Sequence, residues 1–558
     1  LAVKKNKTMR KKILLLIPFF SAFILAKAQE NPLGAGQIHG NFQIDMQSYT
    51  ADSIIGAPKI DEKVLCNAYT NLVYTRDKFT AGVRYEAYLN ALSGYDKRYD
   101  GQGIACRYAS YRDEKFEITL GNFYEQFGNG LVLRTYEDKT LGIDNAFDGA
   151  EVKFKPVPGI TLTGLIGKQK KYFTLGNGIV RGADGEFSIN DIFKFLSEKQ
   201  TKVTVGGSFV SKYQDNTDPV YNFPLNTAAY SARLNISRRK LILSAEYAYK
   251  INDPSYDNSY IFKDGNAFFS NLSYSGKGFG ILLSAIRLDN MSFRSERSAI
   301  LNDLTINYLP AITQAHTYAF AAMYPFSSQP QGEAGFNSEL FYKFPQSSLL
   351  GGAYGTDISV NYSQVNNIPK QKIIIDPAAE YPNLDGYTSK PFSIGNQLYY
   401  RDFNIEIQKK VSKSYKFTLN YMHEDYNMDV MQGLSGHGMI YSEIGILDQT
   451  YKFSSKKSLR LELEGLFTKQ DLGNWGMVLL EYSYAPHWFV AAGDQYNYGN
   501  PEKDYQTHFY SISGGYTDNG NRIQIGYGKQ RQGILCVGGV CRNVPASDGF
   551  TLSVSSTF

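Results

Sequence analysis

Beyond its first thirty residues the chain has no uninterrupted apolar run approaching the roughly 18 residues that a membrane-spanning helix requires. Charge of one sign is not in excess either. The 58 Lys and Arg face 53 Asp and Glu, and seven of the basic residues precede Gln29, so the remainder is near neutral or slightly acidic. Nucleic acid is therefore not an expected partner. No GxSxG or comparable nucleophile setting occurs, which argues against a hydrolase. The Gly128 and Gly130 pair opens no βαβ unit, so it is no phosphate cradle. There is no low-complexity linker and no fixed-period repeat, and the chain reads as one domain. Tryptophan occurs only 2 times, against Tyr 43, Phe 35 and Gly 51. That mixture favours strands and tight turns over helices.

The strand signal is a period of two. In Gln37–Ser48, Ile38, Gly40, Phe42, Ile44 and Met46 share one parity, and His39, Asn41, Gln43, Asp45 and Gln47 the other. The same alternation returns at 79–90, 116–121, 241–250, 402–408 and 458–467. A mean hydropathy of -0.33 is compatible with a membrane barrel, whose wall needs only every second residue apolar.

Connections alternate as well. Short, turn-like ones lie near Asp77, Asp113, Pro156, Arg238, Lys277, Lys413, Lys456, Pro486 and Asn519. Longer polar ones cover 50–64, 93–101, 125–146, 173–182, 213–226, 252–263 and 366–395. Short turns at one end and long loops at the other predict a single large antiparallel transmembrane β-barrel with short periplasmic turns and long extracellular loops. Counting 302–309 as a strand gives about 26 strands, with 24 and 22 as alternatives because 185–196 and 301–362 admit more than one reading.

The polar parity carries charges of both signs inside strands: Asp45, Arg84, Glu86, Arg107, Glu117, Arg233, Glu246, Glu406, Arg460, Glu462 and Glu464. Unpaired burial of so many ions is prohibitive, so these residues are expected to face a hydrated lumen and the apolar parity the lipid. Residues 9–28 carry a basic start, an apolar stretch too short for an anchor and small residues at Ala26 and Ala28. They read as a signal peptide on 1–28, starting at Met9, ahead of a barrel on 29–558. No cysteine follows the cleavage point directly, so no lipid is expected there, and the localisation implied is the cell outer membrane.

The loop at Gly121 to Gly149 is dense in glycine and charge. Glu125, Arg134, Glu137, Asp138, Lys139 and Asp144 make it a candidate constriction loop by analogy with porins whose third loop folds inward. Near the other end, "CVGGVC" reads as a two-residue hairpin. Cys536 and Cys541 then form the closer cross-strand pair, suited to a disulfide, with two free thiols as the alternative. Cys66 and Cys106 fall on strands two and four, too far apart to bridge. His423, Glu424, Asp425 and His437 flank one outer loop but meet no metal-ligand spacing rule, and they read as a solvated rim. The remaining histidines, His39, His316, His487 and His508, are scattered. No metal or cofactor is expected.

The loop at 121–149 and the segment "CVGGVCRNVPAS" resemble a Bacteroidota family of outer-membrane barrels of unassigned activity. The resemblance extends over most of the mature chain and implies location and fold, with no catalytic residue. The ending "GFTLSVSSTF" resembles the C-terminal strand through which barrel proteins engage their insertion machinery, with Phe558 as the aromatic terminus. The partners implied are outer-membrane lipids and that machinery. A channel or transporter for solutes is the first reading, and a non-conducting barrel docking to a surface or secretion complex through 366–395 the second. An outer-membrane hydrolase is the third. A TonB-dependent receptor is disfavoured, since about ten residues before the first strand cannot fold into a plug.

Overall fold

The computed structural model describes residues 36–219, 221–373, 386–537 and 540–558, with side chains omitted at 535–542. The expected signal peptide lies outside the described residues. Twenty-four strands form one antiparallel sheet. It closes on itself where Gln37–Ser48 pairs with Ser547–Thr557, from Asn41 opposite Thr557 to Gln47 opposite Thr551. Closure removes both exposed edges that an open sheet would present.

The count is 24, one of the alternatives to 26, and it turns on the regions that admit more than one reading. Residues 189–196 form a short helix, Ile189–Ile192, and a turn. Residues 302–309 never enter the wall sheet: Ile306, Asn307 and Leu309 are all buried, whereas the wall strands alternate an exposed outer face with an inner one. Conversely, 173–182 is no long loop. Thr174–Ser188 is a wall strand that continues from Ile160–Lys171, with a register shift between Leu175 and Ile179. Its glycines and asparagine disguise it, yet ladder hydrogen bonding overrides that local preference.

The outer face is an apolar belt. Leu419, Leu447, Leu463 and Val478 stand opposite one another across four strands, and Leu419, Leu463 and Val478 are 39–46% exposed. Among the described residues no helix is long and apolar enough to cross a membrane. At the short-turn end Trp488 packs against Tyr516, with ring centroids 4.8 Å apart.

Candidate functional site: a filled lumen

The inner parity begins where the sequence places it. Asn41 faces Asn71, Asn71 faces Arg84, and Arg84 faces Cys106 across three successive ladders. Phe42 and Val83 lie on the other face. Arg107 is an exception to the expected lumen set. Ala105 is an unpaired extra residue in the ladder, so the parity flips, and Arg107 stands opposite Val83 on the outer face. There it reaches Asp148 at 3.1 Å.

Two stretches of chain fold into the barrel. The first is 124–146. Arg84, with its side chain 7% exposed, donates to Glu137 at 2.7 Å and to Asp144, and its Nε forms an ion pair with Glu86 at 2.7 Å. Lys170 joins Asp144 at 2.5 Å and Glu86 at 3.7 Å. Farther round the wall, Glu246 accepts from the backbone and side-chain nitrogens of Asn129 at 2.7 and 2.8 Å. Gly128 makes that approach possible: its φ is +54°, and a Cβ there would lie 2.6 Å from the Glu246 carboxylate. Phe127, Leu131, Val132 and Leu133 are fully buried between these anchors. Glu125 pairs with Lys153, Arg134 lies over the Tyr308 ring at 4.0 Å, and Lys139 over the Tyr69 ring at 4.1 Å. Asp138 caps its own turn through Leu141. Burial alone would push the Asp144 carboxyl up, but Lys170 and Arg84 outweigh it and hold Asp144 below the ordinary range. At Glu137 burial prevails over Arg84, and its pKa is raised.

The second stretch, 290–332, connects Phe279–Asp289 to Glu333–Phe344 and crosses the lumen. On one side Lys250 donates to the Ser292 carbonyl at 2.5 Å and Lys212 to that of Arg294 at 2.7 Å. In the middle it pairs with the first stretch, Arg134 N to Ile306 O at 2.8 Å and Tyr308 N to Gly130 O at 2.9 Å. On the far side Glu464 accepts from the backbone N–H groups of Ala319 and Phe320 at 3.0 and 2.7 Å. His316 meets Asp402 at 2.7 Å. Phe320, Tyr324 and Phe326 pack on Trp475, Tyr426 and Tyr400, with centroids 5.4 to 6.1 Å apart. The wall there presents Met422, Ile444, Ile446 and Leu466 inward, all buried. A segment held by walls on opposite sides can lie only inside.

The other expected inward residues are paired within the wall. Asp45 accepts from Ser553 at 2.7 Å, Glu117 from Arg112 at 2.5 Å, and Glu406 from Asn420 at 3.2 Å. Arg233 is bidentate to Asp184 at 2.7 Å; a Cβ on Gly206 would fall 2.5 Å from its guanidinium. Arg460 binds Asp448 at 3.0 Å and also Glu462. Glu86, Glu137 and Asp144 lie close enough to share an ion. Arg84 and Lys170 already occupy that space, so the group is an ion-paired latch. Cys536 and Cys541 are opposite in backbone register, but their side chains lie outside the described residues. Cys66 and Cys106 are free.

The solvated rim expected at 423–437 is only partly solvated. His423 pairs with Glu443 at 2.8 Å and Asp425 at 3.1 Å, while His437 leans on Asp429 at 3.6 Å. Glu424 and Asp425 are both 0% exposed, Glu424 on the inner face and Asp425 on the outer. Sequence reasoning also missed Lys212, Lys250, Asp402 and the whole of 290–332. The one available signal was a 43-residue interval between wall strands, too long for an idle connection.

Among the long loops a cavity of about 950 Å³ is lined by Tyr95, Tyr99, Tyr172, Asp303 and Met431, with Asp144 and Leu304 from the two infolded stretches.

These features define a closed 24-stranded barrel whose lumen is filled by its own loops. Residues 9–558 match a family of unknown function (DUF6029), and the chain belongs to that family. No curated protein matches it in sequence. Among solved structures it is similar to the siderophore receptor PirA of Pseudomonas aeruginosa, at 10% identity and a TM-score of 0.41, covering 94% of this chain and 80% of that one. It is also similar to the outer membrane protein opdK of Pseudomonas aeruginosa, at 13% identity, a TM-score of 0.35 and coverage of 77% and 99%. A third is OccK8 (OprE) of Pseudomonas aeruginosa, at 9% identity, a TM-score of 0.34 and coverage of 81% and 98%.

Proposed function

We propose that the protein is an outer-membrane β-barrel that moves a solute through a lumen it keeps closed at rest. In this reading the apolar belt meets outer-membrane lipid, the short turns lie in the periplasm and the long loops lie outside. Export follows the signal peptide, and insertion proceeds through the C-terminal strand ending at Phe558, in the Bacteroidota lineage that the two loop segments resemble. The protein is not an enzyme. The observation that carries the reading is the crossing of 290–332, tied to Lys250 and Lys212 on one side and Glu464 on the other. The 124–146 loop is then a constriction element, and the cavity among the loops is the solute's entry. Planar bilayers test this. Wild type should carry no steady current, and deletion of residues 296–328 should open a stable pore. A large steady current through wild type, or an unchanged deletion variant, overturns the proposal. A barrel that stays silent after deletion and co-purifies with partners would favour the docking reading instead.

A further inference from the structure

Charge is divided between the two ends of the barrel. The connections at the short-turn end, each taken with two strand residues on either side, are 75–80, 111–117, 153–161, 187–202, 237–242, 275–280, 343–357, 409–416, 451–458, 483–489 and 517–522. Together they carry 22 Lys and Arg against 8 Asp and Glu, whereas the rest of 29–558 carries 29 against 45. A chain that is near neutral as a whole is therefore strongly basic at one rim and acidic elsewhere. Few carboxylates answer the excess at the rim. Lys78 meets Asp113 at 2.5 Å, Arg112 meets Glu117 at 2.5 Å and Lys343 meets Asp357 at 3.0 Å. Arg238, Lys240, Lys456 and Lys457 are exposed, and among the described residues none of them is in ion-pair contact with a carboxylate.

The excess sits where the apolar belt ends. Arg76, Arg238, Lys409 and Lys457 lie on the outer face, directly opposite Phe79, Leu241, Phe417 and Tyr484. Lys457 Nζ stands 5.7 Å from the centre of the Tyr484 ring. A long cationic side chain at such an edge lays its stem on apolar neighbours and holds its charge beyond them. On the turns themselves, Phe195, Leu349, Val411 and Phe453 are exposed among the lysines. Cations interleaved with apolar side chains at the foot of an apolar wall fit a layer of anionic headgroups over acyl chains. A docked protein would meet one patch of the rim. The four outer-face cations instead come from well-separated strands round the ring, as contact with a surrounding lipid layer requires. We propose that the short-turn rim binds the anionic headgroups of the phospholipids that surround the barrel. This rests on the membrane placement proposed above and not on transport.

Electron spin resonance tests this on the full chain, reconstituted in dioleoylphosphatidylcholine bilayers with spin-labelled phosphatidylglycerol or phosphatidylcholine as the probe. Wild type should immobilise phosphatidylglycerol roughly threefold more strongly than phosphatidylcholine at low salt. The preference should vanish at about 1 M salt, where the Debye length is about 3 Å. Replacing four rim cations together, Arg238→Gln, Lys240→Gln, Lys456→Gln and Lys457→Gln, should lower the ratio to roughly twofold or less. The same change at four exposed lysines of the long loops, Lys59→Gln, Lys63→Gln, Lys469→Gln and Lys503→Gln, should leave it intact. Heat-modifiable gel mobility reports that each variant is folded. Equal immobilisation of the two probes by inserted wild type overturns the proposal and leaves the rim to an acidic protein partner. An undiminished preference in the folded rim variant overturns it as well. A chain that never enters the bilayer overturns the membrane placement, and the proposal with it.

Discussion

Replacing Arg84 by methionine should release the 124–146 loop from the wall while leaving the barrel closed. The guanidinium touches three carboxylates, those of Glu86, Glu137 and Asp144. Side-chain exposures are 7% for Arg84, 3% for Glu86, 7% for Asp144 and 25% for Glu137, so little solvent screens the set. Methionine fills much of the volume but leaves three carboxylates with Lys170 alone. Removing one partner of a buried ion pair costs about 3–5 kcal/mol, which raises the released fraction on the order of 10²- to 10⁴-fold. The wall is spared because strand pairing around the ring does not depend on this contact. Trypsin should then cut the detergent-solubilised variant at Arg134 and Lys139, half-buried sites that lie over the Tyr308 and Tyr69 rings while the loop is held inside the barrel, and mass spectrometry locates the cuts. Adding Glu137→Gln and Asp144→Asn to Arg84→Met should restore part of the protection, because Lys170 then faces Glu86 alone. Equal cleavage of wild type and Arg84→Met at these two sites would refute the latch.

The latch should also respond to pH in a defined sense. Asp144 is held below its ordinary pKa, so its contribution is present above the usual aspartate range and is lost as pH falls through the lowered value. Glu137 is raised, so its ionisation weakens the latch as pH climbs from the usual glutamate range through the raised value. Protection of 124–146 in hydrogen exchange should therefore peak between these limits, and a flat profile would count against the pairing. Glu464→Ala removes two charge-assisted bonds to Ala319 and Phe320, each worth about 1.5–3 kcal/mol. In a Trp488→Phe background Trp475 is the sole indole, and its emission should move to the red as Phe320 leaves it; an unshifted spectrum would mean that the segment is held otherwise. Spin labels at Phe42, Val83 and Leu461 should be accessible to oxygen and not to polar reagents in liposomes, and aqueous contact at all three would contradict the assignment of faces.

The wall was legible because a closed barrel with one apolar and one polar face imposes one simple rule, apolar at every second position, and Leu459, Leu461 and Leu463 obey it, alternating with Arg460, Glu462 and Glu464. What fills the barrel obeys no such rule. In 290–332, Phe293, Ile306, Phe320 and Tyr324 are buried at irregular intervals among buried Arg294, Ser295 and Asn307, since packing of an irregular segment inside a barrel sets no period. The count failed at 302–309 for that reason, as the alternation of Ile306 and Tyr308 with Asn307 mimics a strand. Arg107 escaped because a single extra residue at Ala105 inverts everything after it, and a bulge has no reliable signature in composition. The latch was half visible: Arg84, Glu86, Glu137 and Asp144 all stood out as charged positions. Lys170 did not, and the ring of contacts exists only once the loop turns inward.

The most direct measurement is hydrogen exchange across 290–332 in the folded, detergent-solubilised protein. Amides of Ile306, Tyr308, Ala319 and Phe320, all hydrogen-bonded inside the barrel, should exchange as slowly as those of the wall strands. Exchange of this segment at the rate of the open loops would mean that the lumen is not filled by it.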